Sequence, residues 1–148
     1  MQKEIYEQPE TISHTISEMY NGNGQISEKL SQIIKESPSS ITILAAGTSY
    51  YAGLIGKYWI ESLSNIPVNV EIASEFRYRK AFIDPKGLVF TISQSGESID
   101  TLMAMRHAQK YGVKSVAIIN SIGSTIDRES NYSLYTRAGA EIAVASTK

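Results

Sequence analysis

The sequence predicts an α/β protein: a three-layer α/β/α sandwich around a mostly parallel, roughly five-stranded sheet, preceded by an N-terminal helical segment. Three observations predict it. Short, nearly continuous apolar runs alternate with stretches of helical periodicity, which is how strands buried on both faces of a parallel sheet read. The runs end in turns rich in glycine and serine. The 148 residues, 42% hydrophobic and 20% charged, suffice for one folded domain with its own core.

Along the chain, Ile12, Ile16, Met19 and Tyr20 recur at helical spacing, as do Ile26, Leu30, Ile33 and Ile34. Asn21-Gly22-Asn23-Gly24 breaks the two runs, and Pro38-Ser39-Ser40 closes the region. Residues 1–40 are therefore expected to be a helical segment and 41–148 the sheet domain. Ile41–Ala45 reads as a buried strand, with Ala46–Ser49 as its turn and Tyr50–Leu63 as a helix stopped by Asn65-Ile66-Pro67. Val68–Ile72 and Leu88–Ile92 are the next strands. A helix from about Ser98 to Tyr111 then ends near Gly112, a C-cap candidate. Val116–Ile119 is a fourth strand and Tyr132–Tyr135 a weaker fifth.

Composition excludes several functions. Fourteen basic and fifteen acidic residues leave a net charge of −1, which gives no electrostatic case for nucleic acid or an anionic membrane. There is no cysteine, so disulfides, thiolate nucleophiles and zinc sites built on thiolates are absent. His14 and His107 lie far apart in sequence. No metal and no cofactor is expected. The start carries no signal-peptide pattern, and no apolar run approaches the roughly 20 residues needed to span a bilayer, so the expected location is cytoplasmic.

Ligands of parallel sheets bind outside the carboxyl ends of the strands. That directs attention to Ala46–Ser49, Ser93–Ser98 and Asn120–Ser124. Gly47-Thr48-Ser49 can offer hydroxyls and helix-terminal amides to an anion; it can equally be a plain turn with Ser49 as N-cap. Ser93-Gln94-Ser95-Gly96-Glu97-Ser98 holds more small donors than a cap requires, and an anion cradle is the favoured reading. Neither G-x-G-x-x-G nor G-x-x-x-x-G-K-[ST] occurs, so a nucleotide site is disfavoured. Glu75–Lys80 reads as a solvated helix face or dimer contact, His107 as a boundary residue and Met103–Met105 as core packing. No nucleophile–base pair can be named.

Ala46–Ser49 and Ser93–Ser98, with Glu141–Lys148, resemble the sugar isomerase (SIS) domain. Within that family the closer likeness is to the first half of the isomerase domain of the glucosamine-6-phosphate synthases, also called glutamine–fructose-6-phosphate aminotransferases (isomerizing). Lys3–Pro9 and Ala73–Arg79 resemble the same region, so five motifs lie in register along the chain. The resemblance implies the SIS fold. It further implies that Ser93, Gln94, Ser95 and Ser98, joined by Ser49, hold a sugar phosphate, with Gly47 among the substrate-binding residues. Thr48, Val144 and Ser146 would contact the sugar. The family commonly has Cys where this chain has Ala46, and Thr where it has Ser98, which keeps the hydroxyl.

The implied ligand is fructose 6-phosphate or glucosamine 6-phosphate, and the implied assembly a homodimer. The resemblance also implies an N-terminal glutaminase domain and a second SIS half carrying a glutamate base, a Schiff-base lysine and a ring-opening histidine. None maps onto this chain. It is therefore expected to be a fragment that binds phosphosugar and turns nothing over. A stand-alone SIS module that senses a phosphosugar and controls a partner is the alternative, and a purely structural dimerisation unit a third.

Overall fold

The fold is described from a computed structural model over residues 1–143 and 146–148. Strands β1 (Ile41–Ala45), β2 (Val68–Ile72), β3 (Leu88–Ser93), β4 (Lys114–Ile119) and β5 (Tyr132–Tyr135) form one sheet in the order β2-β1-β3-β4-β5. Every pairing is parallel; Ile43, for example, lies beside Val70 on one side and Phe90 on the other. The helices are α1 (Gln2–Tyr6), α2 (Gln8–Met19), α3 (Glu28–Lys35), α4 (Gly47–Ser64), α5 (Ala73–Phe76), α6 (Ile99–Gln109) and α7 (Thr125–Glu129).

Alternating side chains of the same strand feed the two faces. Ile41, Ile43, Val68 and Ile92 pack against Ile60 of α4, and Leu88 and Val116 against Ile33 of α3. On the other face, Leu44 and Val89 meet Phe76 of α5 and Ala104 and Ala108 of α6. Ala117 and Ile119 there meet Met105 and, on α7, Ile126. Burying side chains such as Phe76, Met105 and Ile126 contributes about 1.5–3 kcal/mol each. The result is the three-layer sandwich the sequence predicts.

Helix boundaries follow local chemistry. Asn65 ends α4 in the left-handed conformation at φ 58°, donating its N–H to Glu61 O at 3.0 Å. Gly112, at φ 81°, donates to Gln109 O at 2.9 Å just past α6. Met105 is core, as expected of that region, whereas Met103 is 36% exposed. Helix α2 forms where the periodicity places it, but Ile12 and Ile16 face outward and Thr11 is its buried residue. Its inward neighbours are polar, as described below. Among the described residues no helix is long and apolar enough to cross a membrane.

Candidate functional site

The strand order creates the site. From β1 the chain turns through α4 towards β2 on one face; from β3 it turns through α6 towards β4 on the other. The two strand exits diverge, and a crevice opens between adjacent strands β1 and β3, the switch point where such sheets bind ligands. A cavity of about 450 Å³ lies there.

Gly47, Thr48, Ser49, Ser93, Gln94, Ser95, Ser98 and Ser146, all singled out from the sequence, line this cavity together. Val144 lies outside the described residues. Ala46, Ile92 and Thr101 line it as well. Thr101 escaped the sequence reading, although a hydroxyl three residues after Ser98 sits one helical turn on and faces the same way. Among the described residues, no lysine, arginine or other titratable side chain lines the cavity.

Its donors are hydroxyls and helix-terminal amides. Ala46 is the N-cap of α4 and offers no side-chain cap; Gly47 makes the turn at φ 58° and starts the helix. Ser49 is therefore not the N-cap: it sits in the first turn. Ser98 is the N-cap of α6, yet its side chain caps no amide; its Oγ instead accepts from the Thr101 hydroxyl at 3.1 Å. Helix α3, by contrast, is capped in the usual way, Ser27 Oγ accepting from Leu30 N–H at 3.4 Å. So the two long helices that begin at the cavity leave their first-turn N–H groups without side-chain caps, with the positive ends of their dipoles beside the cavity.

The loop between β3 and α6 is held from inside and from behind. Ser93 Oγ accepts from Gly96 N–H at 3.1 Å and Ser95 Oγ from Glu97 N–H at 3.2 Å, which leaves both hydroxyl protons to donate elsewhere. The segment after β4 supplies the backing. Asn120 N–H donates to Gln94 O at 3.1 Å and Ile126 N–H to Gly96 O at 3.0 Å. Thr125 N–H donates to Glu97 Oε1 at 2.8 Å. That amide, the Thr125 hydroxyl and the nearby Arg128 charge hold the Glu97 carboxyl below its ordinary value of 4.5. The one acidic side chain of the loop is thereby engaged by α7 and is not among the cavity-lining groups.

The SIS domain family profile matches residues 33–148. The chain belongs to the SIS domain family. It is 53% identical, over its whole length, to a glutamine–fructose-6-phosphate aminotransferase (isomerizing) of Neisseria meningitidis serogroup A, of which it covers 25%. The Streptomyces coelicolor enzyme of that name is 49% identical, again over the whole chain and 25% of the relative. The chain thus spans about a quarter of the length of the curated relatives it matches. Among solved structures, the C-terminal domain of glucosamine-fructose-6-phosphate aminotransferase from Francisella tularensis superposes with a TM-score of 0.91. It is 46% identical, over 99% of this chain and 41% of that one. The sugar isomerase domain of an RpiR transcription factor from Sphaerobacter thermophilus shares the fold alone, with a TM-score of 0.68 at 17% identity.

Other candidates in this SIS domain lie away from the cavity. His107 packs edge-on to Phe76 and Tyr111, with ring centroids 6.0 and 5.5 Å apart. In the Glu75–Lys80 run, Arg79 pairs with Glu71, and Arg77 lies over the Tyr78 ring. Among the described residues there is no cluster of side chains suited to a metal ion.

Proposed function

We propose that this SIS domain binds a phosphosugar, fructose 6-phosphate or glucosamine 6-phosphate, as part of a glutamine–fructose-6-phosphate aminotransferase (isomerizing). The observation that carries the reading is the cation-free cavity at the β1/β3 switch point, where two long helices begin without side-chain caps among a cluster of hydroxyls. A dianionic phosphate supplies what those donors lack, and the two helix dipoles favour its charge. The serine, threonine and glutamine side chains of the cavity then serve as neutral donors. Ser93, Gln94, Ser95, Ser98 and Ser49 hold the phosphate; Gly47 gives the backbone close approach. Thr48, Val144 and Ser146 meet the sugar.

The likeness to the aminotransferases, which extends over all of this chain, favours this parent over a free-standing sensor. In the parent the reaction makes glucosamine 6-phosphate from fructose 6-phosphate and glutamine in the cytoplasm. Residues 1–40 act as a helical lead-in to the binding unit 41–148. This chain contributes binding, and the groups that move protons lie elsewhere in the parent. No nucleic acid or membrane partner is assigned.

Self-association as a homodimer belongs to the same reading. On α4, Tyr51, Ile55, Tyr58, Trp59 and Leu63 recur on one side of the helix, and all are more than half exposed. A contiguous apolar face of this kind marks a protein contact. Titration of the full chain with fructose 6-phosphate, beside unphosphorylated fructose, tests the ligand assignment by calorimetry. Saturable heat with the phosphosugar alone is expected; equal behaviour of the two sugars overturns it.

A further inference from the structure

Helices α1 and α2 lie outside the residues matched by the family profile. They are nevertheless joined, side chain by side chain, to the segment that brings Ser146 to the cavity. Thr15 Oγ1 donates to Thr136 O, and Glu18 pairs with Arg137 through two bonds of 3.0 Å. Gln8 Nε2 donates to Thr147 O at 2.6 Å, and Glu7 pairs with Lys148. Glu4 makes the densest set. Its Oε1 accepts from the N–H groups of Ile142 at 2.6 Å and Ala143 at 3.3 Å, and its Oε2 from the Thr147 hydroxyl at 3.1 Å.

Glu4 is only 6% exposed. A carboxylate that deep persists only where its oxygens are bonded, as these are by the Ile142 and Ala143 amides and the Thr147 hydroxyl. Ile142, Ala143 and Thr147 are thus tied to one side chain. Thr147, which Glu4 grips, is the neighbour of Ser146, which lines the cavity.

We propose that Glu4 is a positioning residue of the cavity, fastening Ile142, Ala143 and Thr147 so that Ser146 stays at the ligand. The proposal rests on the phosphosugar reading for its ligand, but not for its structural half. Amide hydrogen exchange in the full chain tests that half. Glu4→Ala should speed exchange at Ile142 and Ala143 at least about tenfold while β1 and β3 amides keep their rates. Unchanged rates at Ile142 and Ala143 overturn it. Glu4→Gln, which keeps an acceptor oxygen, should fall between the two and serves if the alanine variant does not fold.

A double-mutant cycle on fructose 6-phosphate affinity tests the functional half. Glu4→Ala and Ser146→Ala should each weaken binding about five- to tenfold. The double variant should be no weaker than the poorer single one, with partial recovery in Glu4→Gln. Additive losses, or full affinity in Glu4→Ala, overturn action through Ser146. A wild-type chain that binds no phosphosugar counts against the ligand reading, and the exchange rates then decide the clasp by themselves.

Discussion

Gly96 lies against Ser124 so closely that a Cβ on Gly96 would sit 2.0 Å from Ser124 Oγ and 2.6 Å from Ser124 Cβ. The backbone there is also left-handed, at φ 64°. Both constraints act on the middle of the cavity loop, whose Gly96 carbonyl receives the Ile126 N–H from behind. Gly96→Ala should therefore cost about 2–4 kcal/mol, the sum of left-handed strain and overpacking. Thermal denaturation reads the loss. Adding Ser124→Gly should recover the packing share but not the strain share.

Ser93 and Ser95 separate a structural from a binding hydroxyl. Ser95 is exposed, so Ser95→Ala should change stability by no more than about 0.5 kcal/mol. It should weaken phosphosugar binding by roughly tenfold to a hundredfold, the worth of one hydrogen bond to a charged group. Ser93 is 5% exposed and satisfies the buried Gly96 N–H. Ser93→Ala should lose affinity and also about 1–3 kcal/mol of stability. Urea unfolding of the two variants beside titration distinguishes them.

Glu97 gives the backing segment a pH dependence. Its carboxyl is held below 4.5 in the folded chain by the Thr125 amide and hydroxyl. A depressed carboxylate contributes stability that is fully present above the unfolded value and is lost as pH falls through the folded one. The stability difference between the wild type and Glu97→Gln should be constant above about pH 5 and shrink below about 4.5. A difference that grows on acidification contradicts the Glu97–Thr125 bond.

The α4 face predicts how the chain associates. Ile55→Glu with Trp59→Glu changes two exposed positions, so the fold should survive with stability altered by less than about 1 kcal/mol. Sedimentation is expected to show the parent chain as a dimer and the variant, at the same concentration, as a monomer. A dimer of unchanged strength would place the contact on another face.

The sheet was legible because residues such as Ile41–Ala45 and Leu88–Ile92 must be buried on both faces and end at glycine-rich turns. Neighbours in the sheet were not legible. Nothing in Leu88–Ser93 says that it pairs with β1 on the side away from β2, and that pairing is what makes the crevice. Helices α5 and α7, four and five residues long, are shorter than any window in which periodicity shows. For α2 the period was visible but the inward side was not. It buries Thr11 and turns Thr15 and Glu18 to the Thr136 carbonyl and the Arg137 guanidinium, polar partners that no local pattern announces. Ser146 has no local pattern that marks it. Only the resemblance singled it out, and contacts more than a hundred residues apart in sequence hold the stretch around it.

In the proposed complex a phosphate sits between the first turns of α4 and α6. Backbone amide NMR of the full chain, titrated with fructose 6-phosphate, tests it most directly. Saturable shifts are expected at Gly47–Tyr50 and Ser93–Thr101, absent with unphosphorylated fructose and moved to roughly tenfold to a hundredfold higher ligand concentration in Ser95→Ala. Shifts centred on another surface, or identical responses to the two sugars, would contradict it.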